Sequence, residues 1–255
     1  MSRLDPAFLQ APIAHRGLHD RASGIVENSR AAFQAAIDNG YGIELDVQGA
    51  VDATPLVFHD DHLFRLTGQK GAVQSRPADD LVTIRLSGSD ETIPTLDEVL
   101  TLVAGQVPLL IEIKDQDGGL GPDVGQLQDH VCDALRNYTG PVALMSFNPH
   151  TMARVRAYAP QLLRGLVTDP FFAADWPDAS AERLAQLAGI PDADLLEVDF
   201  ISHNRKDLAA PPVARLKSAG VSILTWTVRS ETEEAEARVV ADNITFEGYR
   251  AVQRH

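Results

Sequence analysis

Short apolar runs rich in β-branched residues alternate along this chain with longer segments of 3.6-residue periodicity. That alternation narrows the fold more than any other feature, because it is the signature of repeated strand-helix units. Eight runs read as strands: Pro12 to His15, Gly42 to Val47, Pro108 to Ile113, Val142 to Phe147, Leu163 to Thr168, Asp194 to Val198, Val221 to Val228 and Asn243 to Phe246. The segments between them have recognisable helix ends. Asn28 or Ser29 can cap a helix that carries Phe33, Ala36 and Ile37 on one face and closes at Gly40, and Thr95 can open another through Leu96, Val99, Leu100 and Val103. Gln126 to Tyr138, Asn148 to Tyr158, Ser180 to Ala188, Pro212 to Ala219 and Glu231 to Val240 complete the series, the last so charged that it is expected to face solvent. Eight such units predict an α/β fold, a closed parallel (β/α)8 TIM barrel. An open doubly wound sheet is the competing arrangement, but no Gly-x-Gly-x-x-Gly turn follows the first strand.

The rhythm breaks once. Residues 48–92 hold a second β-like run, Pro55 to His59, and then a polar stretch with several glycines and prolines. This reads as a hairpin followed by a small insertion after the second strand. No Pro/Gly/Ser-rich linker separates two cores, so residues 1–255 are expected to form a single barrel domain.

Composition removes several function classes. The 36 acidic residues against 22 basic ones give a net charge of −14, which argues against nucleic acid as a partner, since a polyanion needs a basic face. Cys132 is the only cysteine, so neither an intramolecular disulfide nor a cysteine-based zinc site can form. The N-terminus, Met1-Ser-Arg-Leu-Asp-Pro, lacks a cationic stretch followed by an apolar run, and the densest apolar segments fall far short of the roughly 20 residues that span a bilayer. A cytoplasmic protein without stable membrane insertion is the expectation. A homo-oligomer is compatible with everything above.

Active sites of (β/α)8 barrels lie at the C-terminal ends of the strands. The first strand here ends in His15-Arg16-Gly17, the second carries Glu44-Leu45-Asp46, the third carries Glu112-Ile113-Lys114, and the hairpin ends in His59-Asp60. Strand alternation puts Glu44 and Asp46 on one side, and likewise Glu112 and Lys114. Against the apolar layer beneath the helices, unpaired carboxylates would cost several kcal/mol each. At the barrel mouth, Glu44, Asp46 and Glu112 can instead share a hard divalent cation such as Mg2+ or Ca2+. Arg16 and Lys114 add fixed positive charge beside it, which suits a phosphate group. If the chain reverses near Asp52 and Ala53, antiparallel pairing returns His59 alongside Leu45 and Asp46. His15 and His59 then flank a phosphate pocket, as a phosphodiesterase needs: one imidazole deprotonates the attacking oxygen and the other protonates the departing alkoxide. Which histidine does which stays open.

Plainer readings stand beside these. Glu-x-Asp on a strand is often a solvated pair, and Glu197-Val198-Asp199, with the same spacing, is read as a polar strand end. His19, His62, His130, His150, His203 and His255 are read as surface or capping histidines. Trp226 fits core packing and a substrate-facing wall equally well. The joint occurrence of four ionisable clusters at the first strand ends is what favours chemistry.

The pattern resembles the glycerophosphodiester phosphodiesterase family. The matching text is Ala14-His15-Arg16-Gly17, Glu27-Asn28-Ser29 with Ala32-Phe33, Glu44-Leu45-Asp46-Val47, Val57-Phe58-His59-Asp60, Leu63, Arg65 with Thr67, Ile93-Pro94-Thr95-Leu96, Glu112-Ile113-Lys114, Ser146-Phe147 and Trp226-Thr227-Val228. It covers nearly the whole chain in order and is most specific in the first half. The resemblance implies a (β/α)8 barrel with an insertion after the second strand and hydrolysis of glycerophosphodiesters to glycerol 3-phosphate and an alcohol. It implies Glu44, Asp46 and Glu112 as metal ligands for Mg2+, Ca2+ or Mn2+, His15 and His59 as the acid/base pair, Arg16 and Lys114 as a phosphate clamp, and Trp226 near the glycerol. The small glycerophosphodiester is then the expected partner. Three departures are visible. Val26 stands where the family has proline before Glu-Asn, with Asn28 expected to keep a capping role. Arg229 replaces the asparagine after Trp-Thr-Val, and the Thr-Asp that often ends the last strand becomes Thr245-Phe246-Glu247. Other metal phosphodiesterases on the same scaffold, acting on phosphoinositides, lysophospholipids or sphingolipids, and a phosphate-binding barrel without turnover are the rival readings.

Overall fold

Strands form where the sequence concentrates Ile, Leu and Val, because a parallel strand in a barrel is covered on both faces. The computed structural model describes residues 4–253; Met1, Ser2, Arg3 and the histidine expected at the surface, His255, lie outside them. Its strands are β1 (Ile13–Ala14), β2 (Gly42–Gly49), β3 (Pro55–Val57), β4 (Leu109–Ile113), β5 (Val142–Ser146), β6 (Leu163–Thr168), β7 (Phe200–Asn204), β8 (Ser222–Val228) and β9 (Asn243–Phe246). The α-helices are α1 (Ala7–Gln10), α2 (Arg30–Asp38), α3 (Phe64–Thr67), α4 (Ala78–Leu81), α5 (Leu96–Val103), α6 (Leu127–Ala134), α7 (Pro149–Tyr158), α8 (Ala181–Ala188), α9 (Asp192–Leu195), α10 (Pro211–Ser218) and α11 (Glu231–Ala237).

All strands but β3 pair in parallel in the order β1-β9-β8-β7-β6-β5-β4-β2, and β1 pairs with β2 to close the ring. This is a (β/α)8 TIM barrel. β3 runs antiparallel to the end of β2, with Val47 opposite Val57 and Gly49 opposite Pro55. Beyond it the insertion has its own small core, in which Leu56, Phe58, Leu63, Leu66, Val73, Leu81 and Ile93 are buried. No helix among the described residues is long and apolar enough to cross a membrane.

The barrel interior is apolar toward the N-terminal ends of the strands. Leu4 and Phe8 pack there against Ile13, Leu110, Ala143, Phe200 and Leu224. Gly165 makes this possible, since a Cβ at that position would sit 2.4 Å from the Phe200 ring. The wider layer between strands and helices takes the other strand face, with Ile43, Leu45, Val47, Ile111 and Ile113 fully buried. Helix ends follow the expected chemistry. Ser29 caps α2 by accepting from Ala32 N, and Thr95 with Glu98 forms a capping box on α5.

Some expectations are corrected. The run Asp194 to Val198 is not a strand: α9 occupies Asp192–Leu195 and the strand begins at Phe200. Between Leu195 and Ile201 the apolar residues Leu196, Val198 and Phe200 alternate with Glu197 and Asp199, so periodicity could not separate a helix end from a strand, and the polar Ser202 and His203 disguised the true strand. α6 stops at Ala134 and α11 at Ala237. α11 is not wholly solvated either, because Glu234 is buried and held by Arg238 and Tyr249. His203 is buried rather than superficial, bonded to Thr168 Oγ1 at 2.8 Å. Glu197 pairs with Arg156, and Asp199 accepts from Arg164 N. Both therefore serve structure near the start of β7.

Candidate active site

The alternation of each strand carries its inward residues from the apolar floor to the mouth. One cleft of about 560 Å3, its open mouth included, is lined there by His15, Arg16, Glu44, Asp46, His59, Glu112, Lys114 and Trp226. All eight residues singled out in the sequence thus meet in one place. Met145, Phe147, Val167, Ser202, Thr227, Arg229 and Thr245 complete the wall.

Parallel pairing of β2 with β4 sets Asp46 directly opposite Glu112 and Glu44 opposite Leu110. Glu44, Asp46 and Glu112 are buried, and each offers an oxygen within 4.8 Å of the others. Lys114 Nζ donates to Glu112 Oε1 at 2.6 Å and to Asp46 Oδ1 at 3.2 Å. The charges are unequally compensated. Burial pushes Asp46 up, but Lys114, His59 and Arg16 outweigh it and hold the carboxyl far below its ordinary range. Glu44 is raised well above its ordinary range by burial and then by the charges of Asp46 and Glu112. Crowded buried carboxylates with one oxygen each to offer are what a divalent cation relieves, so the donor set fits a metal.

A tight turn delivers Arg16. Arg16 and Gly17 have φ of +55° and +77°, and a Cβ on Gly17 would lie 2.8 Å from the Ala32 carbonyl carbon. The turn aims Arg16 N at Glu44 Oε2, 2.9 Å away. The Arg16 side chain reaches Glu27 Oε1 at 2.6 Å and comes within 3.3 Å of Asp46 Oδ2. Asn28 does not cap α2. At φ +55° its side-chain Nδ2 donates to Asp46 Oδ2 at 2.9 Å and its Oδ1 accepts from Asp46 N at 3.3 Å, steadying a buried cleft carboxylate instead.

Each imidazole in the cleft leans on a carboxylate. His59 Nδ1 lies 2.7 Å from Asp60 Oδ1, and Arg65 donates to both Asp60 oxygens. Arg65 also bonds both oxygens of Glu27. A continuous chain therefore runs from Arg16 through Glu27, Arg65 and Asp60 to His59. His15 Nδ1 lies 2.5 Å from Glu247 Oε2, while its Nε2 is 3.9 Å from Glu44. Burial lowers the His15 pKa, although the Glu247 bond opposes it. Trp226 lines the cleft, meets Phe147 edge-on at 5.5 Å and donates from Nε1 to Ser202 O.

Sequence reasoning missed the supports Glu27, Asp60, Arg65 and Glu247 as site residues. The signal for Glu247 was present, since Asn243, Thr245 and Glu247 recur with the period of a strand, one position beyond the end of β9.

The sequence pattern of the Glycerophosphoryl diester phosphodiesterase family matches residues 15–245. A glycerophosphodiester phosphodiesterase of Caldanaerobacter subterraneus is 31% identical over 243 residues, which is 91% of this chain and 91% of that one. Two solved structures are similar in fold. An Oleispira antarctica phosphodiesterase in complex with the product sn-glycerol-3-phosphate has a TM-score of 0.75 at 24% identity, over 94% of each chain. A glycerophosphodiester phosphodiesterase from Parabacteroides distasonis has a TM-score of 0.72 at 22% identity, over 92% of this chain and 91% of that one. With barrel, cleft and sequence pattern in agreement from His15 to Thr245, the chain belongs to the glycerophosphoryl diester phosphodiesterase family.

Proposed function

We propose that this protein hydrolyses small glycerophosphodiesters to glycerol 3-phosphate and an alcohol. The observation that carries the reading is the convergence of three buried carboxylates, two cations and two imidazoles in one cleft. The sn-glycerol-3-phosphate bound by the Oleispira antarctica phosphodiesterase supports the same substrate class. Glu44, Asp46 and Glu112 would hold Mg2+, Ca2+ or Mn2+, and such an ion would supply Lewis-acid polarisation of a phosphoryl oxygen.

Arg16 and Lys114 bind the phosphate and stabilise charge that grows on its oxygens, at a site where burial strengthens each interaction. Glu27 and Glu112 keep these cations in place. His15 and His59 act at Nε2, because Nδ1 of each ring is taken up by Glu247 or Asp60. One ring accepts the proton of the attacking oxygen, either water or the glycerol 2-hydroxyl, and the other protonates the leaving alkoxide. Trp226 and Phe147 form an apolar wall for the carbon skeleton of the substrate.

The test is turnover of glycerophosphocholine with product identification. Chelator-treated protein is expected to lose activity and recover it with Mg2+, Ca2+ or Mn2+. His15→Ala and Glu44→Ala are expected to stay folded and lose at least ~100-fold in kcat, in line with the usual contribution of an acid/base group. Full activity in either variant, or turnover only of lysophospholipids, would sink this reading.

A further inference from the structure

The two departures from the family pattern at the barrel mouth touch each other. Arg229 donates from Nε and lies with Nη2 at 2.7 Å from Glu247 Oε1, and the other Glu247 oxygen is the one on His15 Nδ1. We propose that Arg229 and Glu247 form a positioning clamp, which fixes the ring plane and tautomer of His15. The inference rests on the acid/base assignment of His15 above.

Glu247 is well placed to impose a tautomer. A carboxylate is acceptor-only, so a 2.5 Å contact with Nδ1 requires the proton to sit on Nδ1, leaving Nε2 toward the cleft for proton transfer. The carboxylate is fixed from several sides. Its backbone N donates to Val228 O at 3.0 Å, His19 Nε2 stands 3.6 Å from Oε2, and Arg229 covers Oε1. Arg229 is itself tethered, its backbone N donating to Glu233 Oε2 at 2.7 Å. Carboxylate partners of this kind orient functional histidines elsewhere.

The same arrangement recurs across the cleft. His59 has Asp60 on Nδ1 and Arg65 behind Asp60.

The experiment is a set of kinetic cycles on the metal-loaded protein, with kcat and KM for glycerophosphocholine. Glu247→Gln keeps the shape but admits both tautomers; it is expected to lower kcat roughly 10- to 100-fold with KM within about twofold. Arg229→Gln is expected to lower kcat less, and to add nothing in the Glu247→Gln background. Combined with His15→Ala, Glu247→Gln is expected to have no further effect, because it acts through the ring that has been removed. Long-range 1H–15N spectra should find His15 as the Nδ1–H tautomer in the parent protein and as a mixture in Glu247→Gln. Equal losses with and without His15, or a change confined to KM, would overturn the clamp alone. A fully active His15→Ala would overturn the clamp and the acid/base assignment together.

Discussion

Glu27 joins the two halves of the site, and removing its charge should be felt in stability and in substrate binding. The carboxylate accepts from Arg16 at 2.6 Å and from Arg65 at 2.8 and 2.9 Å, with its side chain only 15% exposed. Burial raises its pKa, but the bonds from Arg65 and the charge of Arg16 outweigh that and bring it from 4.5 down to about 2. At about 1.36 kcal/mol per pH unit, this corresponds to at most ~3 kcal/mol, with part of it screened because Arg65 is 43% exposed. The sign follows from linkage. A carboxyl with a lowered pKa in the folded state stabilises fully above its ordinary 4.5 and loses that contribution as pH falls toward about 2. Glu27→Gln imitates the protonated form. Urea unfolding is therefore expected to give the variant a deficit of ~2–3 kcal/mol at pH 7, narrowing by ~1 kcal/mol at pH 3.5. KM should rise as well, since Arg16 loses its anchor. A deficit that stays constant between pH 7 and pH 3.5 would refute the ion-pair argument.

Two further outcomes follow from geometry outside the carboxylate cluster. Gly17→Ala must fit a Cβ 2.8 Å from the Ala32 carbonyl carbon at φ +77°, so it should cost ~2–4 kcal/mol in urea unfolding and depress activity by displacing Arg16; a loss below ~1 kcal/mol would contradict the turn. The Cys132 thiol is buried and pushed up to about 12 by burial and by Asp129 and Asp133, so a thiol reagent at pH 8 should leave the folded protein unmodified and label it fully in urea; rapid labelling of the folded form would refute this.

The first half of the chain was the more legible because its chemistry sits in short, contiguous motifs on strands whose apolar neighbours are strong. His15-Arg16, Glu44-x-Asp46 and Glu112-x-Lys114 each place two cleft residues by strand period or turn alone. His59 followed from the hairpin register, with Phe58 N donating to Asp46 O as antiparallel pairing requires. Asn28 was misjudged because an asparagine before a helix is a good cap by local chemistry, and only the fold brings Asp46 within reach of it. The strand at Phe200–Asn204 was missed because Ser202, His203 and Asn204 are polar, with Ser202 lining the cleft, which weakens the apolar signal of that strand.

The sequence by itself determined the period of the fold and the identity of the residues at the strand ends, because strand alternation and strand-helix succession are local properties of the chain. The tertiary structure decided which charges meet. Glu27 with Arg65 is separated by 38 positions, and His15 with Glu247 by 232, and nothing in either stretch names its partner. Closing β1 against both β2 and β9 brings the first and last strand ends together, and this ring closure is what converts scattered acids, bases and histidines into a single site.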